Sequence, residues 1–300
     1  MQNKIARITV DGFSVCGYTD RKINSGMTLL LSKRPNIAGV FSSGGAPATH
    51  ETDLLKSTHR GDYSVDGLLL TGRSVFGMSV ISEIYRWMNE NSIGVKMENN
   101  YIPIVPAAAI YDIDDNKNIP GAEWALNAIK SIGNLIPIGP FWGGMGATVS
   151  KYNVSKTPSG QGYYEVLKGK IKVGVISVIN SLGDIYDLDG KNLTNHEIES
   201  LDTFSHSMIN GSIWNKFTRK LGFNTTIGAV ITNAKINSRE ACYIAESANF
   251  GFASRIWPYS TSIDGDTVFC VSSNKYEEAV DTVAEMARMA AELSVLSVFK

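Results

Sequence analysis

This sequence of 300 residues has few cysteines, no large excess of charge of either sign and no long apolar runs. Its three cysteines (Cys16, Cys242 and Cys270) form no C-x-x-C pair, which argues against a disulfide framework and predicts reduced thiols in a cytoplasmic protein. Lys and Arg total 28 against 29 Asp and Glu, so no basic surface for nucleic acid is expected. No apolar run is long enough for a membrane span and no apolar leader follows Met1, so neither a span nor a signal peptide is predicted.

Motifs for several familiar chemistries are missing as well. The four histidines show no H-E-x-x-H spacing and have no cysteine near them, so we expect no metal. The Gly-rich stretch at 139–151 lacks the Gly-Lys pair of a phosphate-binding loop and the third Gly of a dinucleotide fingerprint, so we expect no cofactor. Around Ser74, the sequence from Gly72 to Gly77 has one residue too many for a nucleophile elbow. The favoured interpretation of Ser74 is a helix N-cap.

What is present is a sequence rich in apolar residues, at 43%, arranged in Val/Ile-rich runs and in amphipathic stretches. The runs predict strands covered on both faces at 5–10, 27–31, 67–71, 102–110, 171–180, 226–232 and 267–272. A helical period, or a face of small residues, predicts helices at 76–89, 122–132, 241–253 and 279–293. Strands and helices alternate without a strict βαβ order, which favours a layered α/β sandwich over a barrel.

One polar stretch interrupts this pattern. Residues 192–220 mix charged, polar and isolated apolar residues, and this composition predicts a surface linker. A strand of core character, within 224–234, follows almost at once.

The Asn224-Thr225-Thr226 triplet stands at the junction of linker and strand. A Thr hydroxyl needs an adjacent base to act as a nucleophile, and the α-amine of an N-terminal Thr is such a base, with an unperturbed pKa of about 7.7–8.0. Cleavage before Thr225 would create that amine. Two residues alone are a weak signal, and an ordinary strand start is the alternative.

A second cluster is Asp264-Gly265-Asp266. Two carboxylates separated by one glycine suit a tight turn in which both point the same way, where they can orient an amine or a hydroxyl. The alternative is a solvated turn before a strand.

Taken together, these motifs resemble the aminopeptidase/nylon-oligomer hydrolase family, which includes L-aminopeptidase/D-esterases and 6-aminohexanoate-oligomer hydrolases. The resemblance extends over nearly the whole chain. Its most distinctive parts are GGAPATHETDLL at 44–55 and DGDTVF at 264–269, and further matches include DGLLLTGRSVFGM at 66–78, IPIVPAAAIYDI at 102–113 and NTTIGAVITNA at 224–234.

This resemblance implies a single-domain precursor that cleaves itself between Asn224 and Thr225. The products, 1–224 and 225–300, would stay together in a four-layer αββα sandwich similar to that of the N-terminal nucleophile hydrolases but with different strand connectivity. The resemblance also implies a homo-oligomer, a tetramer of processed heterodimers.

Roles for six residues follow from matching the family's motifs position by position. Thr225 matches the nucleophile, and Asp264 and Asp266 match the pair that orients it. The remaining matches are Lys151 beside the nucleophile, Asn180 as a donor to the oxyanion and Tyr111 at the mouth of the site. The chemistry of the residues themselves supports two of these roles. Asn180 ends an apolar strand, where a neutral donor can act in a dry place, and a buried Lys151 would lower the pKa of the Thr225 amine.

The expected function is a self-processing amide hydrolase acting on a small oligoamide or peptide, most similar to the nylon-oligomer hydrolases. An aminopeptidase or esterase that releases small N-terminal or β-amino acids is the alternative. A Thr-dependent acyltransferase is disfavoured, since the Ala-Thr-Met-Leu motif is absent. The alternative from a different class is a folded but unprocessed, non-catalytic relative. One departure bears on specificity: Gly72-Arg73 stands where the family often has Gly-Gly, and a charge there would alter the pocket or a subunit contact.

Overall fold

Two five-stranded sheets and four α-helices dominate the computed structural model, which describes residues 4–58, 61–113, 118–151, 156–194 and 224–300. The strands are β1 (Lys4–Arg7), β2 (Phe13–Asp20), β3 (Ser25–Ser32), β4 (Ile37–Ser42), β5 (Thr49–His50), β6 (Gly67–Thr71), β7 (Val95–Met97), β8 (Asn100–Ile102), β9 (Ala107–Ala109), β10 (Leu135–Ile138), β11 (Thr148–Val149), β12 (Thr157–Pro158), β13 (Gly160–Lys168), β14 (Ile171–Asn180), β15 (Asp184–Ile185), β16 (Thr225–Ala234), β17 (Ile256–Trp257) and β18 (Thr267–Tyr276). The α-helices are α1 (Ile81–Glu90), α2 (Glu123–Ile129), α3 (Ser238–Ala253) and α4 (Val280–Phe299), and 3-10 helices lie at Asp53–Leu55, Ser74–Val80 and Trp142–Gly144.

The two large sheets stack face to face. One has the strand order β13-β14-β16-β18-β4 and the other has the order β2-β3-β6-β9-β5. Neighbouring strands are antiparallel except for the pairs β16/β18 and β6/β9, which are parallel. Apolar side chains of both sheets meet in one core, which includes Leu30, Leu68 and Leu70 from one sheet and Ile176, Ile227 and Phe269 from the other.

Helices cover the outer face of each sheet. Helices α3 and α4 pack on the first sheet through small and apolar side chains such as Ala245, Phe252 and Ala287. Helices α1 and α2 cover the second sheet through side chains such as Ile84 and Trp124. The order of layers is therefore helix, sheet, sheet, helix, and the predicted αββα sandwich is confirmed.

Alternation along β16 places the start of this strand next to the space between the sheets. Ile227, Ala229 and Ile231 lie in the core between the sheets, whereas Val230 and Ala234 face the helices. Successive side chains of a strand point to opposite faces, so Thr225 shares the face of Ile227. The nucleophile predicted from the sequence thus lies where the two sheets meet.

Several predicted elements differ from the observed ones. The strand expected at 102–110 is divided into β8 and β9, because Pro103 and Pro106 have no N–H for a sheet. The strand expected at 5–10 is only β1, which is largely exposed instead of covered on both faces. The helix expected at 76–89 begins as a 3-10 helix and becomes α1 at Ile81.

Three of the longer strands were not predicted, namely β2, β4 and β13. Each contains glycine, which disfavours a strand by propensity but permits close packing here. A Cβ at Gly39 in β4 would overlap the backbone of α3 at Cys242, and one at Gly162 in β13 would overlap the Ser294 carbonyl of α4. Tertiary packing therefore explains why these strands contain glycines, which local propensity alone would predict to interrupt a strand.

Most of the predicted linker, residues 195–220, lies outside the described residues. The described part, 192–194, is hydrogen-bonded to the strand β15: the Leu193 N–H donates to the Ile185 carbonyl, and the Ile185 N–H donates to Thr194 Oγ1. Among the described residues, no helix combines the length and the apolar character needed to cross a bilayer.

Candidate active site

The site is organised around the peptide bond between Asn224 and Thr225. Thr225 is the first residue of β16 and lies opposite Asn180, the last residue of β14. Asn224 forms a parallel bridge with Asp264. The Thr225 hydroxyl donates a hydrogen bond to the carbonyl oxygen of Asn224, which is the carbonyl of its own preceding peptide bond. Both residues are buried, with Thr225 only 3% exposed.

Asp266 binds the backbone on either side of the site. Its Oδ1 accepts the Thr226 N–H at 2.6 Å, and its Oδ2 accepts the Ser260 N–H at 3.0 Å. Asp266 therefore holds the start of β16 through the residue that follows Thr225. Burial raises the pKa of the Asp266 carboxyl well above its usual range, and the charge of Asp264 adds to this shift.

Asp264 is bound within its own turn. Its Oδ2 accepts both the Thr261 N–H and the Thr261 hydroxyl, each at 2.7 Å. Its Oδ1 is buried and has no hydrogen-bond partner among the described residues. Burial raises the pKa of Asp264, while the Thr261 donors and the charge of Lys151 oppose the shift. The two carboxyls are thus close and buried, and burial disfavours their charged forms, as expected for neighbouring acids in a dry site.

The Gly-Gly pair of the GGAP motif lies against this turn. The Ser43 N–H donates to the Asp266 carbonyl at 3.0 Å, and the Ala46 N–H donates to the Asp264 carbonyl at 2.8 Å. A Cβ at Gly44 would overlap the Asp264 carbonyl oxygen. The motif therefore has an architectural role, because only glycine allows the two loops to approach this closely.

Lys151 supplies a buried amine at the same end of the sheet. Its Nζ donates to the Asn180 carbonyl at 2.7 Å. Burial, with a smaller contribution from the charge of Lys156, lowers the pKa of Lys151 to about 7. The charges of Asp264, Asp112 and Asp266 act in the opposite direction. Burial at this position thus favours the neutral amine.

Asn180 and Tyr111 are linked directly. Asn180 Nδ2 donates to the Tyr111 carbonyl at 2.9 Å, and its Oδ1 accepts the Thr148 N–H at 3.1 Å. The Asn180 side chain thereby joins β14 to the segments after β9 and β10. Five of the six residues predicted from the sequence, Thr225, Asp264, Asp266, Lys151 and Asn180, lie together at this end of the sheet, and Tyr111 joins them through its backbone carbonyl.

Asp112, which sequence reasoning did not single out, is a further buried acid beside the site. It accepts the Ser25 hydroxyl at 2.7 Å and the Arg73 N–H at 2.6 Å. Burial raises its pKa, and these two donors oppose the shift. The sequence signal that could have identified Asp112 is its position directly after Tyr111, within the matched stretch at 102–113.

Arg73, the departure from Gly-Gly, is 1% exposed and is not a surface residue. It takes a left-handed conformation with φ of 60°, and its guanidinium donates to the Asn118 carbonyl at 2.8 Å. Arg73 is also the N-cap of the 3-10 helix, with no side-chain cap bond. The N-cap interpretation of Ser74 was therefore wrong by one residue.

Within the part of the chain that the structure describes, no group of three or more His, Cys, Asp and Glu side chains is placed to hold a metal ion. The buried polar groups gathered at Thr225 are a hydroxyl, two coupled acids and an amine of lowered pKa. Such a set is chemically suited to acyl transfer.

Comparison with known proteins agrees with the fold. The sequence profile of peptidase family S58 matches residues 5–299. A protein of Mycobacterium leprae described as an uncharacterized aminopeptidase is 32% identical over 269 residues, which cover 84% of this chain and 72% of that protein. A 6-aminohexanoate-oligomer endohydrolase of Kocuria sp. is 23% identical over 202 residues, covering 64% of this chain and 56% of that protein.

Among solved structures, the l-aminopeptidase d-ala-esterase/amidase of Ochrobactrum anthropi superposes with a TM-score of 0.73 at 17% identity. The match covers 96% of this chain and 84% of that one. That structure is described as a new variant among the Ntn hydrolase fold, in agreement with the layers seen here.

The family profile and the similar sequences define a peptidase-class hydrolase that acts on amide bonds. The chain belongs to peptidase family S58.

Proposed function

We propose that the chain cleaves itself between Asn224 and Thr225, and that Thr225 then serves as the N-terminal nucleophile of an amide hydrolase. The observation that carries the proposal is the position of the Thr225 hydroxyl, which is buried and hydrogen-bonded to the carbonyl of the peptide bond to be broken. The products would be a long chain, 1–224, and a short chain, 225–300.

The self-cleavage is an N-to-O acyl shift followed by hydrolysis. A bond forms between Thr225 Oγ1 and the carbonyl carbon of Asn224, and the C–N bond between the two residues breaks. The hydroxyl proton is transferred to the departing nitrogen, which becomes the Thr225 α-amine. Water then hydrolyses the ester, leaving a carboxyl group on Asn224 and restoring the Thr225 hydroxyl. The neutral form of Lys151 is a base available before any α-amine exists, because its pKa is lowered to about 7.

In the processed enzyme, the same hydroxyl attacks the substrate carbonyl while the α-amine accepts its proton. Asp266 keeps the start of β16 in place through the Thr226 N–H, and Asp264 lies beside it. The positive form of Lys151 lowers the pKa of the α-amine, which favours the neutral base. Asn180, opposite Thr225, is the candidate donor to the oxyanion of the substrate, and Tyr111 is the candidate residue for the entrance.

For the substrate, Thr225 resembles the Thr nucleophile of the nylon-oligomer hydrolases, whereas the family's aminopeptidases usually have Ser there, and this favours a small oligoamide of the 6-aminohexanoate type. The alternative, an aminopeptidase or esterase that releases small N-terminal or β-amino acids, is favoured by sequence identity. The relatives named aminopeptidases are 30–32% identical, whereas those named endohydrolases are 22–23% identical. No nucleic acid, membrane or cofactor enters either proposal.

Product analysis separates the two substrates. The processed protein is incubated in parallel with a linear 6-aminohexanoate oligomer, with β-alanyl p-nitroanilide and with its N-acetylated analogue. An oligoamidase releases shorter oligomers, whereas an aminopeptidase requires the free amine and loses activity on the acetylated compound. Cleavage of neither class by a fully processed sample would contradict the proposed hydrolase.

A further inference from the structure

The backbone N–H of Gly265 is directed at the peptide bond that the proposed self-cleavage breaks. It donates a hydrogen bond of 2.8 Å to the carbonyl oxygen of Asn224. The Thr225 hydroxyl donates to the same oxygen. Gly265 thus provides a neutral backbone donor at the atom on which negative charge develops when Thr225 attacks.

We propose that the Gly265 N–H is the oxyanion donor of the self-cleavage, and that it donates to the substrate carbonyl oxygen in the same place once Asn224 has been released. The inference rests on the proposed function, since it requires Thr225 to attack the Asn224 carbonyl. When the Oγ1–C bond forms, the C=O double bond becomes a C–O single bond, and the negative charge on oxygen lies within hydrogen-bond distance of Gly265 N. The charge returns to the double bond as the C–N bond breaks, so the donor gives up no proton.

This donor is held rigidly before the reaction. The carbonyls on either side of it are bound: the Asp264 carbonyl accepts the Ala46 N–H, and the Asp266 carbonyl accepts the Ser43 N–H. The turn is also closed by the Asp264 N–H, which donates to the Thr261 carbonyl at 3.1 Å. A donor that is oriented in advance stabilises a developing charge without reorganisation, which is the property required of an oxyanion hole.

Glycine is required at position 265 because the nucleophile lies against it. A Cβ there would be 2.9 Å from Thr225 Oγ1 and 2.9 Å from the Ala46 carbonyl oxygen. Any side chain would therefore displace the hydroxyl or the supporting loop. Position 265 thus combines two tasks, a backbone donor to the carbonyl oxygen and an open space for the attacking oxygen.

The neighbouring carboxyls do not oppose this role. Asp264 and Asp266 flank the donor, and burial raises the pKa of both carboxyls, so that negative charge beside the donor is disfavoured. The Asn180 side chain donates to the Tyr111 carbonyl and accepts the Thr148 N–H. The Asn180 Nδ2 group has a second N–H that can serve the substrate oxyanion, whereas the Gly265 N–H already binds the scissile carbonyl.

The test replaces a single N–H group, that of Gly265, by an ester oxygen. Glycolic acid incorporated at position 265 by reconstituted translation converts the amide into an ester and removes the donor while adding no side chain. The matched control is the same replacement at Gly45, whose N–H donates to the Thr261 carbonyl at 3.2 Å in the same pair of loops. Chain cleavage is followed over time by intact mass.

We expect the ester at 265 to slow self-cleavage by about 10²–10³-fold, the usual effect of losing one oxyanion donor, and the ester at 45 to mature at nearly the native rate. Turnover per processed chain, measured on a substrate that the native enzyme cleaves, should fall in the ester variant at 265 and not in the ester variant at 45. Equal maturation rates for the two esters would overturn the inference. If the native chain itself stays intact, the proposed function fails instead.

A second measurement avoids any dependence on how the ester variant folds. Hydrogen exchange of the Gly265 amide is measured in the uncleaved Thr225→Ala chain, where the bond to the Asn224 carbonyl persists. Slow exchange there, and faster exchange in the processed native enzyme, is the expected pair of results. Rapid exchange of Gly265 in the uncleaved chain would overturn the inference.

Discussion

Asp266 binds the backbone N–H of Thr226, the residue immediately after the nucleophile, with an Oδ1–N distance of 2.6 Å. Its second carboxylate oxygen binds the Ser260 N–H at 3.0 Å. The side chain therefore uses two acceptors to connect the turn at 260–266 with the first residues of β16. Thr225 is held in place indirectly, through the strand that it begins.

Asp266→Asn should slow both self-cleavage and turnover. An amide has only one acceptor oxygen, so the variant presents an NH₂ group to one of the two backbone N–H donors. Misplacement of a nucleophile by about 1 Å costs on the order of 10²-fold in rate, and the loss should fall on kcat more than on KM. Band intensity against time and steady-state rates provide the measurement. Asp189→Asn, an exposed carboxylate in the turn after β15, is the matched control.

If Asp266→Asn matures at normal speed and keeps a near-normal kcat, the pair at 264 and 266 is only a turn. Asp264→Asn should also be damaging, because it removes an acidic group that interacts electrostatically with Lys151 and Asp266.

Substitutions of Thr225 should separate processing from folding. Thr225→Ala removes the hydroxyl and should give a folded, unprocessed and inactive chain of 32.6 kDa. Thr225→Ser keeps a hydroxyl and should still mature. By length, the native chain should yield fragments of about 24 and about 8 kDa, since mean residue mass varies little between segments. N-terminal sequencing of the smaller fragment should begin at Thr225, and a start at Thr226 would contradict the proposed cleavage.

The free energy of unfolding should depend on pH through Lys151. Its pKa is about 7 in the folded chain, against an ordinary value of 10.5. Between these values the unfolded chain binds a proton that the folded chain does not, so this residue makes stability rise with pH across that window. Burial is the main cause. Lys156 adds to it, and Asp264, Asp112 and Asp266 oppose it.

Urea unfolding at pH 6 and pH 9 measures this contribution. Both proteins carry Thr225→Ala, so that neither is cleaved, and one of them also carries Lys151→Met. The methionine variant should gain more stability over its parent at pH 6, where the parent buries a charge, than at pH 9. Equal differences at the two pH values would show that Lys151 is not buried as described.

Oligomerisation is a further prediction. Val75, Phe76 and Ile119 expose 60%, 46% and 59% of their surface, and exposed apolar side chains are commonly covered by association with closed symmetry. A tetramer of processed heterodimers should give a mass of about 130 kDa in light scattering, four times the 32.6 kDa of one chain. A sharp peak at the mass of one chain at micromolar concentration would refute this.

The nature of the site could be inferred from the sequence because its residues lie next to recognisable patterns. Thr225 begins a fully buried strand, β16, and Asp264 and Asp266 come directly before another strand, β18. These two strands are parallel neighbours, so their first residues lie side by side. Gly265 and Asp112 could not be assigned in the same way. The role of Gly265 depends on a backbone N–H, and that of Asp112 on partners from distant segments.

The order of residues by itself determined where most of the central strands and helices form and that these elements pack in layers around apolar cores. It also determined which residues are candidates for the chemistry. These properties depend on local periodicity and on residue type, which are both visible along the chain. Only the tertiary structure decided that Asp266 binds the N–H of Thr226, that Gly265 lies against the Thr225 hydroxyl, and that Arg73 is buried beside Asp112. Such contacts join residues far apart in the sequence, and their geometry is set by the packing of loops such as the one at Gly44 against the turn at 264–266. No local pattern contains that information, because a hydrogen bond depends on tenths of an ångström and on the direction of an N–H.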